Sequence, residues 1–286
     1  DVYKRQPFSW VEQNGAFQAC AVCRFGRVCA VAGRLQVRPP CRTMPHASSS
    51  IPHFGAPPLT TMTQHTVRIW DLPTRIFHWA LAVCIVALVI TANVGGNAMV
   101  WHFRLGYTVL ALLVFRLVWG LVGGRWSRFS AFLYSPARLL RYLRGTPHPE
   151  DGIGHSPLGA LSVFVLLAVL AAQVGTGLLS DDEIAFAGPL TQYVSNAVVR
   201  LATNYHKDIG QFLVLGLVAL HVLAIIFYVR VRKQQLIRPM LDGDKTLPEA
   251  AAPSRDDALS RIVALVVLAL SAGVAWWVSS LAAPAF

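Results

Sequence analysis

Acidic residues are scarce in this chain: 14 Asp and Glu stand against 25 Lys and Arg in 286 residues. Charge of either sign is thin, at 14% of residues, where an ordinary soluble domain carries about 25%. No phosphate-cradling glycine motif of the P-loop type occurs, which excludes that mode of nucleotide binding. Cysteine is almost missing after residue 41; only Cys84 remains, and inside an apolar run it reads as a small buried hydrophobe. The other four, Cys20, Cys23, Cys29 and Cys41, supply one close pair but no second, and that spacing argues against a structural zinc site.

Hydrophobic residues are what the chain has in excess, at 55%, with a mean hydropathy of +0.50. Five apolar stretches stand out: roughly Ile76–Val94, His102–Val122, Leu158–Leu179, Phe212–Val229 and Ile262–Leu281. Each is close to the ~20 residues that a spanning helix needs. Lipid offers no partner to a backbone N–H or C=O, so such spans must be helices. The expected fold is an all-α integral membrane protein.

The formal charge of +11 invites a nucleic-acid reading, but its placement argues for topology. Arg125, Arg128, Arg138, Arg141 and Arg144 lie between the second and third spans. Arg230, Arg232, Lys233, Arg238, Lys245, Arg255 and Arg261 follow the fourth, and Arg68 and Arg75 precede the first. The alternate connections are poor in basic residues: 95–101 has none, and 181–205 sets Asp181, Asp182 and Glu183 against Arg200. This positive-inside pattern puts the start of the first span in the cytoplasm. The basic excess then meets anionic membrane lipid, with no nucleic acid as partner.

Residues 1–61 differ in kind. They lack an initiator methionine, contribute +5 of the net charge and end in a run rich in Ser, Pro and Thr. They also lack the clean apolar core of a signal peptide. The opening Asp-Val-Tyr-Lys-Arg-Gln reads like translated adapter sequence. The expectation is a non-native or disordered extension, with the natural chain starting at Met62.

Four histidines sit at or near the ends of apolar segments: His78, His102, His206 and His221. The last two share one hydrophobic helix, 15 residues apart, which is roughly 22 Å along the axis and about 60° around it. A hydrocarbon core is about 30 Å thick, so one imidazole falls near each face. The loop charges, read without reference to histidine, sort the four into two levels: His78 with His221 inside, His102 with His206 outside. A haem iron with two axial imidazoles is saturated and suits electron transfer. Covalent attachment is excluded, because Cys20-x-x-Cys23 is followed by Arg24 where histidine is required. Taken singly, each histidine has a plainer explanation as an interfacial residue in the headgroup layer.

Gly106 lies four residues after His102, on the same helical face, and would leave room for a flat macrocycle; Gly210 stands in the same relation to His206. Close helix packing accounts for membrane glycines equally well. Arg116 lies 14 residues after His102, roughly 21 Å down and about 40° off that face. It is either a counter-ion for a haem propionate or an arginine snorkelling to the headgroups. Arg75 could serve similarly inside, and Arg104 or Lys207 outside. His148 and His155 sit beside Pro and Gly in an inner loop, where structural roles are the default.

From about Val67 to Leu241 the chain resembles the bacterial cytochrome b-561 family, which is related to the membrane subunit of nickel–iron hydrogenases. The matching residues are Trp70-Asp71…Arg75-x-x-His78-Trp79, His102-x-x-x-Gly106, Gly154-His155-Ser156-Pro157-Leu158-Gly159, and His206…His221. The resemblance implies a four-helix bundle over 62–241 holding two haem b groups. His78, His102, His206 and His221 would be the iron ligands, and electrons would pass between membrane quinone and a redox partner. The chain departs from the family in two ways. The interval between the last two histidines is 15 residues where well-known members of the family have 14, and a fifth span, within 262–286, follows a cytoplasmic linker at 242–261.

The resulting expectation is a di-haem b-type electron carrier of the bacterial inner membrane, multi-pass, with a cytoplasmic N-terminus. The acidic Asp181–Glu183 loop would face a basic c-type cytochrome or simply be a solvated turn. Two other classes stay open at this point. One is a quinone-linked superoxide oxidase, with Lys207 and Arg104 attracting the anion; the other is a non-redox transporter using histidine for proton transfer.

Overall fold

The computed structural model describes residues 64–282. The expectations for the four early cysteines and for a start at Met62 lie outside the described residues. Helix α1 (Leu72–Val94) opens where the Asp71 carboxylate accepts the Thr74 N–H at 2.8 Å, with Pro73 in the first turn, a position that needs no N–H. It closes at Gly95-Gly96, both at positive φ (66° and 51°), a turn that other residues adopt only with strain. The chain reverses there into α2 (Ala98–Val122). The short α3 (Pro136–Leu143) precedes α4 (Pro157–Leu178), capped by the Ser156 hydroxyl.

Helix α5 (Asn196–Asn204) runs without a break through a π-helical turn, Tyr205–Gly210, into α6 (Gln211–Arg230). The apolar run alone predicts a start at Phe212, and the helix begins 16 residues earlier. Tyr205, Lys207 and Asp208 make the preceding stretch polar, yet nothing in it breaks a helix. The chain ends in α7 (Ile237–Asp242) and α8 (Ala258–Ser280), the latter capped by Asp257. Five helices, counting α5 to α6 as one of 35 residues, are long and apolar enough to cross a membrane.

The protein is thus a multi-pass helical membrane protein. Helix α2 is its centre, packing on α1, α4 and α8, while α4 packs on α6. Its buried face carries Val109, Leu112, Leu113, Phe115 and Trp119. Outward residues of α1 such as Val83, Val86 and Ile90 are exposed, as a lipid-facing surface requires.

The basic end is laced together. Strand β1 (His65–Arg68) pairs antiparallel with β2 (Asp244–Leu247), Arg68 opposite Asp244. Arg68 bridges Asp244 at 2.6 Å and Asp256 at 2.8 Å. The Ser254 hydroxyl donates to the Ile69 carbonyl, and Trp126 Nε1 donates to the Ala252 carbonyl. Residues 242–261, expected as a linker, therefore contain a strand and a strap across the ends of α1 and α2.

Beneath the strap, Asp71 is fully buried. One oxygen accepts from Thr74 N–H and Trp119 Nε1, the other from Gly124 N–H (3.1 Å) and the Ser127 hydroxyl (2.6 Å). A buried carboxylate is tolerated only when saturated in this way.

Candidate functional site

The four histidines form two pairs. His78 on α1 faces His221 on α6, with ring centroids 6.4 Å apart and planes at 53°. His102 on α2 faces His206 in the π-helical turn, with centroids 6.2 Å apart and planes at 89°. Metal–imidazole bonds run about 2.0–2.1 Å, and the centre of an imidazole lies about 1.1 Å beyond its nitrogen. Two imidazoles on opposite sides of one metal ion therefore have centroids about 6.3 Å apart, and both pairs have that gap. No group of three or more His, Cys, Asp or Glu suited to a metal occurs among the described residues. A metal held by two imidazoles alone must bring its other ligands with it, and haem iron does so.

The π-helical turn explains how a 15-residue interval still places His206 and His221 on one working face. A π-turn absorbs one extra residue relative to an α-helix. The two rings are then related as across 14 α-helical residues, about 40° apart in the opposite sense to the 60° of an unbroken helix.

The ring nitrogens are held differently at the two levels. His102 Nδ1 lies 3.1 Å from the Leu88 carbonyl, and His206 Nδ1 lies 2.9 Å from the Gln173 carbonyl. A carbonyl only accepts, so each Nδ1 carries the proton and leaves Nε2 free to ligate. His78 Nδ1 is buried with no partner.

Arg116 is 3% exposed, with its guanidinium 4.6 Å from the centre of the Phe129 ring and a buried Nη1 lacking any partner. Of the two readings of this residue, snorkelling does not describe it. Arg75 donates to the Leu241 carbonyl at 2.5 Å. It lines a groove of about 580 Å³ with Ile76, Trp79, Val83 and Met240. Arg104 lies over Trp101. A side chain at Gly106 would meet nothing within 4 Å, which leaves the space next to His102 open, whereas one at Gly210 would strike Gln173. The room at Gly210 is therefore taken by an amide.

His155 is held between Trp70 (4.6 Å) and Phe132 (4.4 Å), uniting two motifs far apart in the chain. Burial, then the charges of Arg116 and Lys245, push its imidazole down to about 3, so it is neutral throughout the physiological range.

Five helices long and apolar enough to span, with two facing imidazole pairs among them, are what a helical membrane cytochrome of the b type requires. The chain belongs to the prokaryotic cytochrome b561 family, whose model matches residues 69–243. A probable Ni/Fe-hydrogenase B-type cytochrome subunit of Rhodobacter capsulatus is 23% identical over 223 residues, covering 64% of this chain and 83% of that protein. The corresponding proteins of Escherichia coli K12 (hydrogenase 1) and Azotobacter vinelandii are 26% and 28% identical. They align with 40% and 41% of this chain, and the chain spans 61% of the length of each. No solved structure matches. Membership makes the protein a b-type haem carrier of electrons in a membrane.

Proposed function

We propose that the chain holds two haem b groups, one between His78 and His221 and one between His102 and His206, and passes electrons through the bilayer. Bound haem supplies reversible one-electron chemistry at a six-coordinate iron, tuned by its surroundings. The chain's own part is to fix four rings at two depths and to exclude water around them. Arg116 and Arg75 bring positive charge to the level of the inner pair as partners for propionates. Gly106 keeps the face beside His102 clear for a flat ring.

The positive-inside distribution supports an inner-membrane protein whose α1 starts on the cytoplasmic side. Quinone would approach from the lipid along the groove lined by Ile76, Trp79 and Val83, with Arg75 at its polar end. The names of the relatives support a redox subunit of the hydrogenase kind as partner at one face; the acidic loop at Asp181–Glu183 offers a c-type cytochrome a complementary surface.

The observation that carries this reading is the pair of centroid gaps, 6.4 and 6.2 Å. A pyridine haemochrome assay on the purified chain is expected to give two haem b per polypeptide. A colourless protein made with ample haem would overturn the two-haem reading.

A further inference from the structure

We propose that Gln173 and Gly177 of α4 form a clamp that sets the orientation of the His206 ring and thereby the electronic character of the outer haem. This rests on the two-haem reading above. Helix α4 contains no histidine within Pro157–Leu178 and so offers no imidazole to either pair. It nevertheless grips His206 at three points. The Gln173 carbonyl accepts from His206 Nδ1 at 2.9 Å, and the Gln173 side-chain Nε2 donates to the His206 carbonyl at 3.0 Å. Four residues on, where the next turn brings the same face round, a Cβ at Gly177 would lie 2.8 Å from His206 Cε1 and 3.1 Å from Nδ1. The Cε1 and Nδ1 atoms of the ring thus lie against bare backbone, in a place only glycine leaves open.

The π-helical turn and Gly210 complete the device. The extra residue of Tyr205–Gly210 swings His206 towards α4, and a widened turn can take an outside donor to its backbone, here the Gln173 amide. Gly210 provides the seat for that amide, since any side chain there would collide with Gln173 Oε1. Backbone acceptance of Nδ1–H makes an axial imidazole a stronger donor to iron. Gln173 and Gly177 are positioning residues: they act on the iron only through His206.

The test uses the full chain with haem, comparing Gly177→Ala and Gln173→Leu with Gly175→Ala, where an added Cβ meets nothing within 4 Å. Low-spin electron paramagnetic resonance and redox titration are read for both haems. Gly177→Ala and Gln173→Leu are expected to shift the g-maximum and midpoint potential of one haem, the same haem that His102→Ala removes. The other haem stays unchanged, and Gly175→Ala leaves both as in the wild type. Should Gly177→Ala fail to fold, Gln173→Leu carries the same readout. Two haems with unaltered signals in both variants, or a shift in the haem that His221→Ala removes, overturns the clamp alone. A wild-type chain without haem overturns the reading beneath it as well.

Discussion

The two histidine pairs are alike in spacing and opposite in how they are held. At the outer level both Nδ1 atoms meet backbone carbonyls, of Leu88 and Gln173, and the planes stand at 89°. At the inner level His78 Nδ1 has no partner and the planes stand at 53°, but Arg116, Arg75 and the saturated Asp71 knot crowd the same end. As haem ligands, the first pair would be tuned through hydrogen bonding of the imidazoles and the second through nearby charge. Carbonyl-bound imidazoles favour ferric iron, and buried cations favour the ferrous state. In the proposed two-haem arrangement both effects give the haem at His102 and His206 the lower midpoint potential, so that electrons would run downhill from it to the haem at His78 and His221.

Removing ligands separates the two levels most sharply. His221→Ala is expected to lose the inner haem and keep the outer, and His102→Ala the reverse, each halving haem per polypeptide in a pyridine haemochrome assay. Asp71→Ala comes next. It strands the Trp119 indole, two backbone N–H groups and the Ser127 hydroxyl, at about 1–3 kcal/mol for each donor left unsatisfied, and is expected to be read as earlier thermal loss of the haem at His78 and His221 than of the other.

Arg116→Met keeps the bulk and removes the charge. The inner midpoint potential is expected to fall by roughly 40–60 mV, on the order of 1 kcal/mol for one electron, with the outer potential unmoved; equal shifts in both would erase the distinction between the levels. The smallest effect concerns acid. Burial alone would raise the Asp256 carboxyl, but the guanidiniums of Arg261 and Arg68 and the Leu72 N–H outweigh it and hold it below the usual carboxylate range. Its contribution to the strap is therefore present above the ordinary carboxylate pKa and fades as pH falls through and below it. Hydrogen exchange at the Ser254 amide, corrected for intrinsic rate, is expected to quicken below about pH 4 while the outer haem spectrum holds.

Spans and histidine partners were legible in the sequence because both obey one-dimensional rules: apolar length against bilayer thickness, and basic residues on alternate loops. Arg116 was half legible, since its height on α2 follows from helix rise but its enclosure by Phe129 depends on a loop. The clamp was invisible, because Gln173 and Gly177 carry no metal-binding chemistry and matter only through contact with another helix. The π-helical turn left one trace, the 15-residue interval. The strap left none: its two four-residue strands are too short for alternation to show. Asp71 stood out only as part of the Trp70-Asp71 motif, with no sign that four donors would converge on it.

The pairing of β1 with β2 joins residues nearly 180 positions apart, Arg68 with Asp244. During synthesis the first strand emerges long before its partner exists. Four spans must enter the bilayer while that end of the bundle hangs open, and only the stretch after α7 can tie it shut. A polypeptide cut short before residue 244 thus leaves that first strand without a mate.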